Sequence, residues 1–326
     1  MSVRVSIVIP TANRRERVMR AVETSLQQDF PASDYEIIVV IDGADERTAL
    51  ALRNLDAGQR LRVVQLETNR GPSAARNSGW RAASGALIVF LDDDMLCTPG
   101  LVRAHLSAHL EVAGKREIAG FGAIYNAPER HRTLAAETFR LGLGAVYLHH
   151  RDQPSEAWPE NVWSFANTSV SRSVLERVGG FDERFRKRED GELGVRLLNI
   201  GVRQQFVPDA VAYQDSEKNV QQLIHDAEVS AECDLLFVQI HPGRIPHEFV
   251  THLRNERPWK QRARRVLSRN LALADLLLGP LCSMGELQAI PAPLRNTALR
   301  ALLFRCGLHW YHRFAEISAG QAGNLI

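Results

Sequence analysis

Three adjacent carboxylates, Asp92, Asp93 and Asp94, follow the apolar run Ala86-Leu87-Ile88-Val89-Phe90-Leu91. A run of this kind, with β-branched members, reads as a buried strand. Acids at its end put negative charge at the carboxyl edge of a sheet, where open α/β sheets bind ligands. Three neighbouring carboxylates repel one another, and a divalent cation carrying a diphosphate is the natural counter-charge. Glu189 and Asp190 form a second carboxylate pair, just ahead of a helix expected over 192–200, whose N-terminal dipole favours acids. Asp42, before Gly43, is a further strand-end acid. Such an acid either closes a turn or accepts a hydrogen bond from a base or ribose.

The elements that must position these acids alternate. Strands are expected at 3–10, 36–41, 61–66 and 86–91, with helices at 14–28, 47–55 and 73–84 between them. This order implies a parallel sheet with right-handed crossovers, so that Pro10, Asp42, Leu66 and Asp92 share one edge. Ser73 is placed to cap the third helix, and Gly71 allows close backbone approach before it. Further strands are expected at 118–125, 164–171 and 203–207, with a short helix at 173–178 stopped by Gly179-Gly180. The polar, aromatic stretch 127–162 lacks periodicity and reads as a functional or flexible loop. From Glu217 onward the pattern is helical, with helices expected at 220–238, 246–256, 258–278 and 293–318. The expected division is an α/β domain over 1–215 and a helical region over 216–326.

The chain has 326 residues and a net charge of +2, which gives no global reason to expect nucleic acid. Charge is unevenly spread: residues 254–326 carry a net +7 on a mildly acidic body. The basic run from Arg254 to Arg269, with Trp259 inside it, is either a solvated helix face or a contact for an anionic membrane or an acidic acceptor. The leucines interleaved with arginines from Arg295 to Arg305 also fit packing on the core or on a second subunit. Cys97, Cys233, Cys282 and Cys306 lie far apart without metal spacing, which reads as thiols in a reducing cytosol. The N-terminus enters a strand directly, so no signal peptide is expected, and no apolar stretch is long enough to span a membrane.

Four blocks together resemble the family 2 inverting glycosyltransferases of the GT-A fold. They are Val5-Ser6-Ile7-Val8-Ile9-Pro10-Thr11-Ala12-Asn13-Arg14, then Glu36 to Gly43, then Asn69 to Gly79 with Leu91-Asp92-Asp93-Asp94, and finally Gly179-Gly180-Phe181-Asp182-Glu183 with Glu189 to Gly194. The resemblance covers about residues 3–215 and implies a Rossmann-like, mostly parallel sheet flanked by helices, with the all-helical C-terminal part as an extension.

The resemblance also implies roles. Pro10, Thr11, Ala12, Arg14 and Asp42 line a nucleotide pocket, and Arg76 faces the nucleotide or its phosphates. Asp92 to Asp94 are the family's DxD motif: Asp94, aided by Asp92, holds Mn2+ or Mg2+, and Asp93 is the middle residue on the nucleotide-sugar side. Asp190 is the base that deprotonates the acceptor, with Glu189 positioning it. The donor is a nucleotide-diphosphate sugar, by default a UDP or dTDP sugar. The acceptor is a glycan, a lipid-linked sugar or a small molecule. Trp163, near Trp158 and Phe165, offers an aromatic face for a sugar ring and equally fits core packing. Asn167 is a further sugar-side contact. Many relatives carry a metal-shell histidine where this chain reads Tyr213-Gln214-Asp215-Ser216, leaving Asp215 as a substitute. Two rival readings are a sugar-phosphate nucleotidyltransferase, whose Gly-rich loop after the first strand is missing here, and a non-catalytic nucleotide-sugar or glycan module.

Overall fold

The computed structural model describes residues 3–127, 133–135, 137, 163–215, 218–244, 246, 257–285 and 290–318. Trp158, Arg254 and nearly all of the expected 127–162 loop and 246–256 helix lie outside them. The described residues fall into two compact units. One runs to residue 127 and resumes from 163 to 215. The other takes everything from 218 onward together with Leu134 and Glu137. The expected 1–215 domain therefore lends a short stretch to the helical unit, where Leu134 joins a core of Cys282, Ala298 and Leu302 and Glu137 pairs with Arg295 at 2.7 Å.

The first unit is built on one eight-stranded sheet. In chain order its elements are β1 (Val5–Thr11), α1 (Arg15–Leu26), β2 (Tyr35–Ile41), α2 (Glu46–Arg53), β3 (Leu61–Gln65), α3 (Pro72–Ala82), β4 (Leu87–Leu91), β5 (Met95–Cys97), α4 (Leu101–Glu111), β6 (Ile118–Asn126), β7 (Asn167–Ser171), α5 (Arg172–Val178), α6 (Glu189–Asn199) and β8 (Arg203–Gln214). The strand order is β3-β2-β1-β4-β7-β6-β8-β5. The first four strands are parallel, and β1, β2 and β4, whose runs are almost continuously apolar, are buried on both faces, while β3 forms the partly exposed edge. Beyond β4 the sheet is mixed. β7 runs antiparallel to β4 and β6, and β8 returns parallel to β6. The two reversals matter: the C-terminal ends of β6 and β8 reach the same edge as those of β1, β2 and β4.

Alternate residues feed two cores, one on each face. Ile7, Ile9, Val39 and Val89 pack with α1 and α4, while Val8, Val40, Phe90 and Phe121 pack with α3 and α6. At Gly79 a Cβ would stand 2.3 Å from a Val8 methyl carbon, so α3 lies directly on β1. Two elements escape the sequence pattern. β5 is only three residues long, and β8 continues past Pro208 to Gln214 because its ladder with β6 shifts register opposite Gly122 and Ala123. The irregularity absorbs Pro208, Asp209 and Ala210, which have no partner in the ladder.

Asn167 sits wholly buried at the start of β7 and bridges three elements. Its amide nitrogen donates to the carbonyls of Ala210 at 2.8 Å and Ala123 at 3.3 Å, so its oxygen accepts from His105 Nε2 at 3.0 Å. Burial depresses His105 and its helix neighbour His109 from about 6.5 to about 4. An unfolded chain takes up these protons below about 6.5, whereas the folded chain resists until about 4. Stability is therefore expected to fall as pH drops across that window, with His105 accounting for about 3 kcal/mol. Urea melts at pH 7 and pH 5 compared with those of His105→Gln check this. An unchanged pH slope in the variant would remove His105 as the cause.

The second unit is helical: α7 (Val220–Ile240), α8 (Pro258–Leu267), α9 (Leu271–Gly285) and α10 (Ala292–Ile317) among the described residues. The helix expected over 258–278 is two helices, bent by 116°. Asn270 makes the break, since its side chain accepts from Leu273 N at 3.0 Å and caps α9. Polar pairs zip the bundle, with Trp310 donating to Asp234 at 2.8 Å and Arg305 to Asp275 at 2.7 Å. Arg264 is buried under the Phe304 ring, so the basic run is not one continuous solvated face. No single helix is long and apolar enough to cross a membrane among the described residues.

Candidate active site

The strand ends gather the acids as their sequence positions require. Asp42 follows β2, and the acid triplet links β4 to β5. Asp190 comes from the first turn of α6, which opens on Arg188 at φ 67°. Between them stands Arg76, one turn into α3 and 4% exposed. Its Nη1 donates to Glu189 Oε1 at 2.7 Å and its Nη2 to Asp92 Oδ1 at 2.8 Å. The same Nη1 lies 3.9 Å from Asp190 Oδ1, and the guanidinium sits over the Phe181 ring at 5.6 Å. One buried cation thus joins two acidic clusters nearly a hundred residues apart in sequence.

Asp190 is held from the other side by the segment that leads into β7. The backbone N–H of Phe165 donates to its Oδ2 at 3.0 Å, while Oδ1 has no hydrogen-bond partner among the described residues. Burial, helped by the charges of Glu189 and Asp92, pushes the Asp190 carboxyl up to about 7 against the opposing pull of Arg76. A carboxylate tuned near neutrality suits proton abstraction at physiological pH.

The loops around these groups are braced. Asp42 accepts from the backbone N–H of Arg70 at 2.7 Å and of Gly71 at 2.8 Å, pinning the turn before α3. Asp93 is buried, taking Thr11 Oγ1 at 2.7 Å and Arg14 Nη1 at 3.1 Å. Asn77 ties α3 to the Gly179–Glu183 loop: its amide exchanges two hydrogen bonds with the backbone of Phe181, both at 2.9 Å. At Gly180, with φ +76°, a Cβ would stand 2.4 Å from Asn77 Oδ1, so only glycine fits.

The model of glycosyl transferase family 2 matches residues 6–179. This chain belongs to glycosyltransferase family 2. The glycosyltransferase is 30% identical over 268 residues to validoxylamine A glucosyltransferase of Streptomyces hygroscopicus subsp. jinggangensis, covering 75% of this chain and 62% of that protein. It is 33% identical over 273 residues to the uncharacterized glycosyltransferase YfnE of Bacillus subtilis, covering 70% and 69%. The chain thus spans about three fifths of the length of the validoxylamine enzyme. The fold is shared with the mannosyltransferase PcManGT of Pyrobaculum calidifontis, at a TM-score of 0.62 and 20% identity over 95% of this chain and 88% of that one. GT-A architecture and membership of a glycosyltransferase family follow, which sets aside the nucleotidyltransferase reading.

Within this glycosyltransferase the expected nucleotide-side residues Pro10, Thr11, Ala12, Arg14, Asp42, Asp92 and Asp93 share the carboxyl edge of the parallel strands. Several have protein partners already. Asp42 serves as a loop brace, Asp93 as an anchor to β1 rather than a bare spacer, and Arg76 as a bridge between carboxylates. Two expectations are corrected. Trp163 is 8% exposed and stacks on Phe165, and at Gly194 a Cβ would stand 2.2 Å from its ring. Its face is spent on α6, so it offers no platform to an acceptor. Asn167, fully occupied as described above, contacts no sugar either.

The acid loop meets the end of β8, where Asp215 N donates to the Asp94 carbonyl at 2.7 Å. The Asp215 carboxylate pairs with Arg20 of α1, a partner that sequence spacing does not reveal. Asp215 is thereby drawn toward Arg20 and makes a weak substitute for the absent histidine. Among the described residues, no three metal-ligating side chains converge as a cage. The acid loop would offer a cation two hard carboxylates, Asp92 and Asp94. That fits a Mg2+- or Mn2+-like ion, which takes one or two carboxylates and completes its shell with phosphate oxygens and water.

Proposed function

We propose that this enzyme transfers a sugar from a nucleotide-diphosphate sugar to an acceptor hydroxyl with inversion, and that Asp190 is the base. The observation that carries this reading is the Arg76 bridge, which sets the donor-side Asp92 and the base-side Glu189–Asp190 pair around one cation. Asp92 and Asp94 would hold Mn2+ or Mg2+, and such an ion supplies counter-charge to the departing diphosphate. The unpartnered Asp190 Oδ1 is the atom that would take the acceptor proton, while the Phe165 N–H holds Oδ2 and fixes the carboxylate plane. Glu189, held by Arg76, positions Asp190 and keeps its affinity for protons high.

Fold neighbours support the donor class: PcManGT was solved with GDP-Man and Mn2+, and Staphylococcus aureus TarS with UDP-GlcNAc. A uracil or thymine nucleotide is our choice, from the family resemblance. The test is a thermal-shift screen of nucleotide-sugars with and without Mn2+, followed by turnover of the best donor across pH. Saturating donor is expected to raise the melting temperature, more so with Mn2+, since about 2.7 kcal/mol accrues at a hundred-fold excess over Kd. Because the base acts deprotonated, turnover is expected to rise with pH through about 7. A flat profile from pH 5 to 9 would remove Asp190 as base, and no shift with any nucleotide-sugar would remove the function.

A cytoplasmic setting with peripheral membrane contact is part of the proposal. Trp259, Val266, Leu276 and Leu277 are exposed on α8 and α9, and Arg262, Arg265 and Arg269 are exposed beside them. Apolar side chains next to cations suit an anionic bilayer surface. Co-sedimentation with phosphatidylglycerol vesicles, lost in Trp259→Ser with Leu276→Ser, is the expected result. Equal sedimentation with neutral vesicles would exclude the electrostatic part.

A further inference from the structure

The buried state of Trp163 leaves the acceptor without the aromatic surface expected for it, yet the sheet presents one elsewhere. Tyr125 of β6 and Tyr213 of β8 are register partners near the C-terminal ends of their strands. Both are exposed, at 45% and 38%, and their ring centroids stand 6.1 Å apart with a 40° tilt. They are the two exposed aromatic side chains of the catalytic unit among the described residues.

Their face and edge can be assigned. Ala212 packs into the core beneath α1 and α4, so alternation sends Tyr213 to the opposite face. Phe121 packs into the α3 and α6 core, and alternation along β6 puts Tyr125 four residues on at that same face. That is the face of α6, which carries Asp190. The edge is that of the acid loop, because Tyr213 pairs on its other side with Leu96 of β5, and Asp215, two residues on, bonds the Asp94 backbone. In the sheet order the pair stands beyond β7, while the nucleotide-side residues sit on β1, β2 and β4.

A cross-strand tyrosine pair adds little to the stability of a sheet. What an exposed pair does offer is two π faces and two phenol hydroxyls in one step. A pyranose ring has the matching chemistry, with an apolar C–H face and equatorial hydroxyls. We propose that Tyr125 and Tyr213 form the subsite that seats a saccharide ring of the acceptor, so that the acceptor is itself a sugar. This rests on the glycosyltransferase reading above and specifies its acceptor side.

The test uses the full chain with UDP-glucose, GDP-mannose, cellobiose, maltose and chitobiose as probes. Saturation-transfer NMR reads saccharide binding, and thermal shift reads nucleotide-sugar binding. At least one disaccharide is expected to bind the wild type. Tyr213→Ala and Tyr125→Ala are each expected to weaken it by about ten-fold or more, while the two Tyr→Phe variants, which keep the rings, stay within about three-fold. Nucleotide-sugar shifts are expected to be unchanged in all four variants, which also reports that they fold. Alanine variants that keep saccharide affinity would overturn the subsite. So would a loss of nucleotide-sugar in step with saccharide, which would assign the rings to the donor. No saccharide binding by wild type that still binds nucleotide-sugar overturns this inference alone. Binding of neither class overturns the function beneath it.

Discussion

Asp190→Asn is expected to lower the transfer rate by about 10³-fold or more while donor affinity stays within a few-fold. Asparagine keeps an oxygen to accept from Phe165 N–H, so the side chain can hold its place. What it loses is basicity. The variant is not expected to be less stable, because the lost charge is one that burial, Glu189 and Asp92 all oppose. Steady-state turnover with calorimetric donor titration separates the two quantities. A parallel fall in turnover and donor affinity would mean that Asp190 binds the donor, and the base assignment would fail.

Arg76→Ala is expected to damage fold and chemistry together. The guanidinium is buried, and its removal leaves Glu189 and Asp92 without their cation. Breaking a buried ion pair from one side costs about 3–5 kcal/mol, which for a unit of this size lowers the melting temperature by about 10 °C. The catalytic signature differs from that of the Asp190 variant. Arg76 holds the Asp190 carboxyl down, so without it that carboxyl titrates higher still. The acid limb of the pH–rate profile is expected to move upward, with more activity lost at pH 7 than at pH 9. Scanning calorimetry and a pH profile of the residual rate read the two effects. An unmoved limb would show that the arginine is structural only.

The placement of the acids is legible where they lie in strand-end motifs. Asp92 to Asp94 after a continuous apolar run, and Glu189-Asp190 after a glycine-marked loop, declare themselves by position. Their connection does not. The Arg76 bridge spans 113 residues to Glu189, and no local pattern encodes such a pairing. The parallel half of the sheet follows from its runs of Val and Ile. The mixed half hides because β5 has three residues and β8 carries Pro208 through an irregularity in its ladder. Trp163 misleads for a physical reason: a tryptophan beside an acidic loop looks the same whether its face meets a sugar or, as here, Gly194. Tyr125 and Tyr213 looked unremarkable until register made them neighbours.

Asn77 carries a consequence for how this enzyme can be altered. Its one amide, with the Trp80 indole donating to the same oxygen at 3.0 Å, clasps α3 to the Phe181 backbone of the loop ahead of α6. The clasp closes only over a bare glycine at 180. The two segments are therefore not interchangeable cassettes. A chimera that grafts another relative's segment from 163 to 215 onto these first strands must carry a compatible trio at 77, 80 and 180, or the Arg76 bridge loses the registry between the helices it joins.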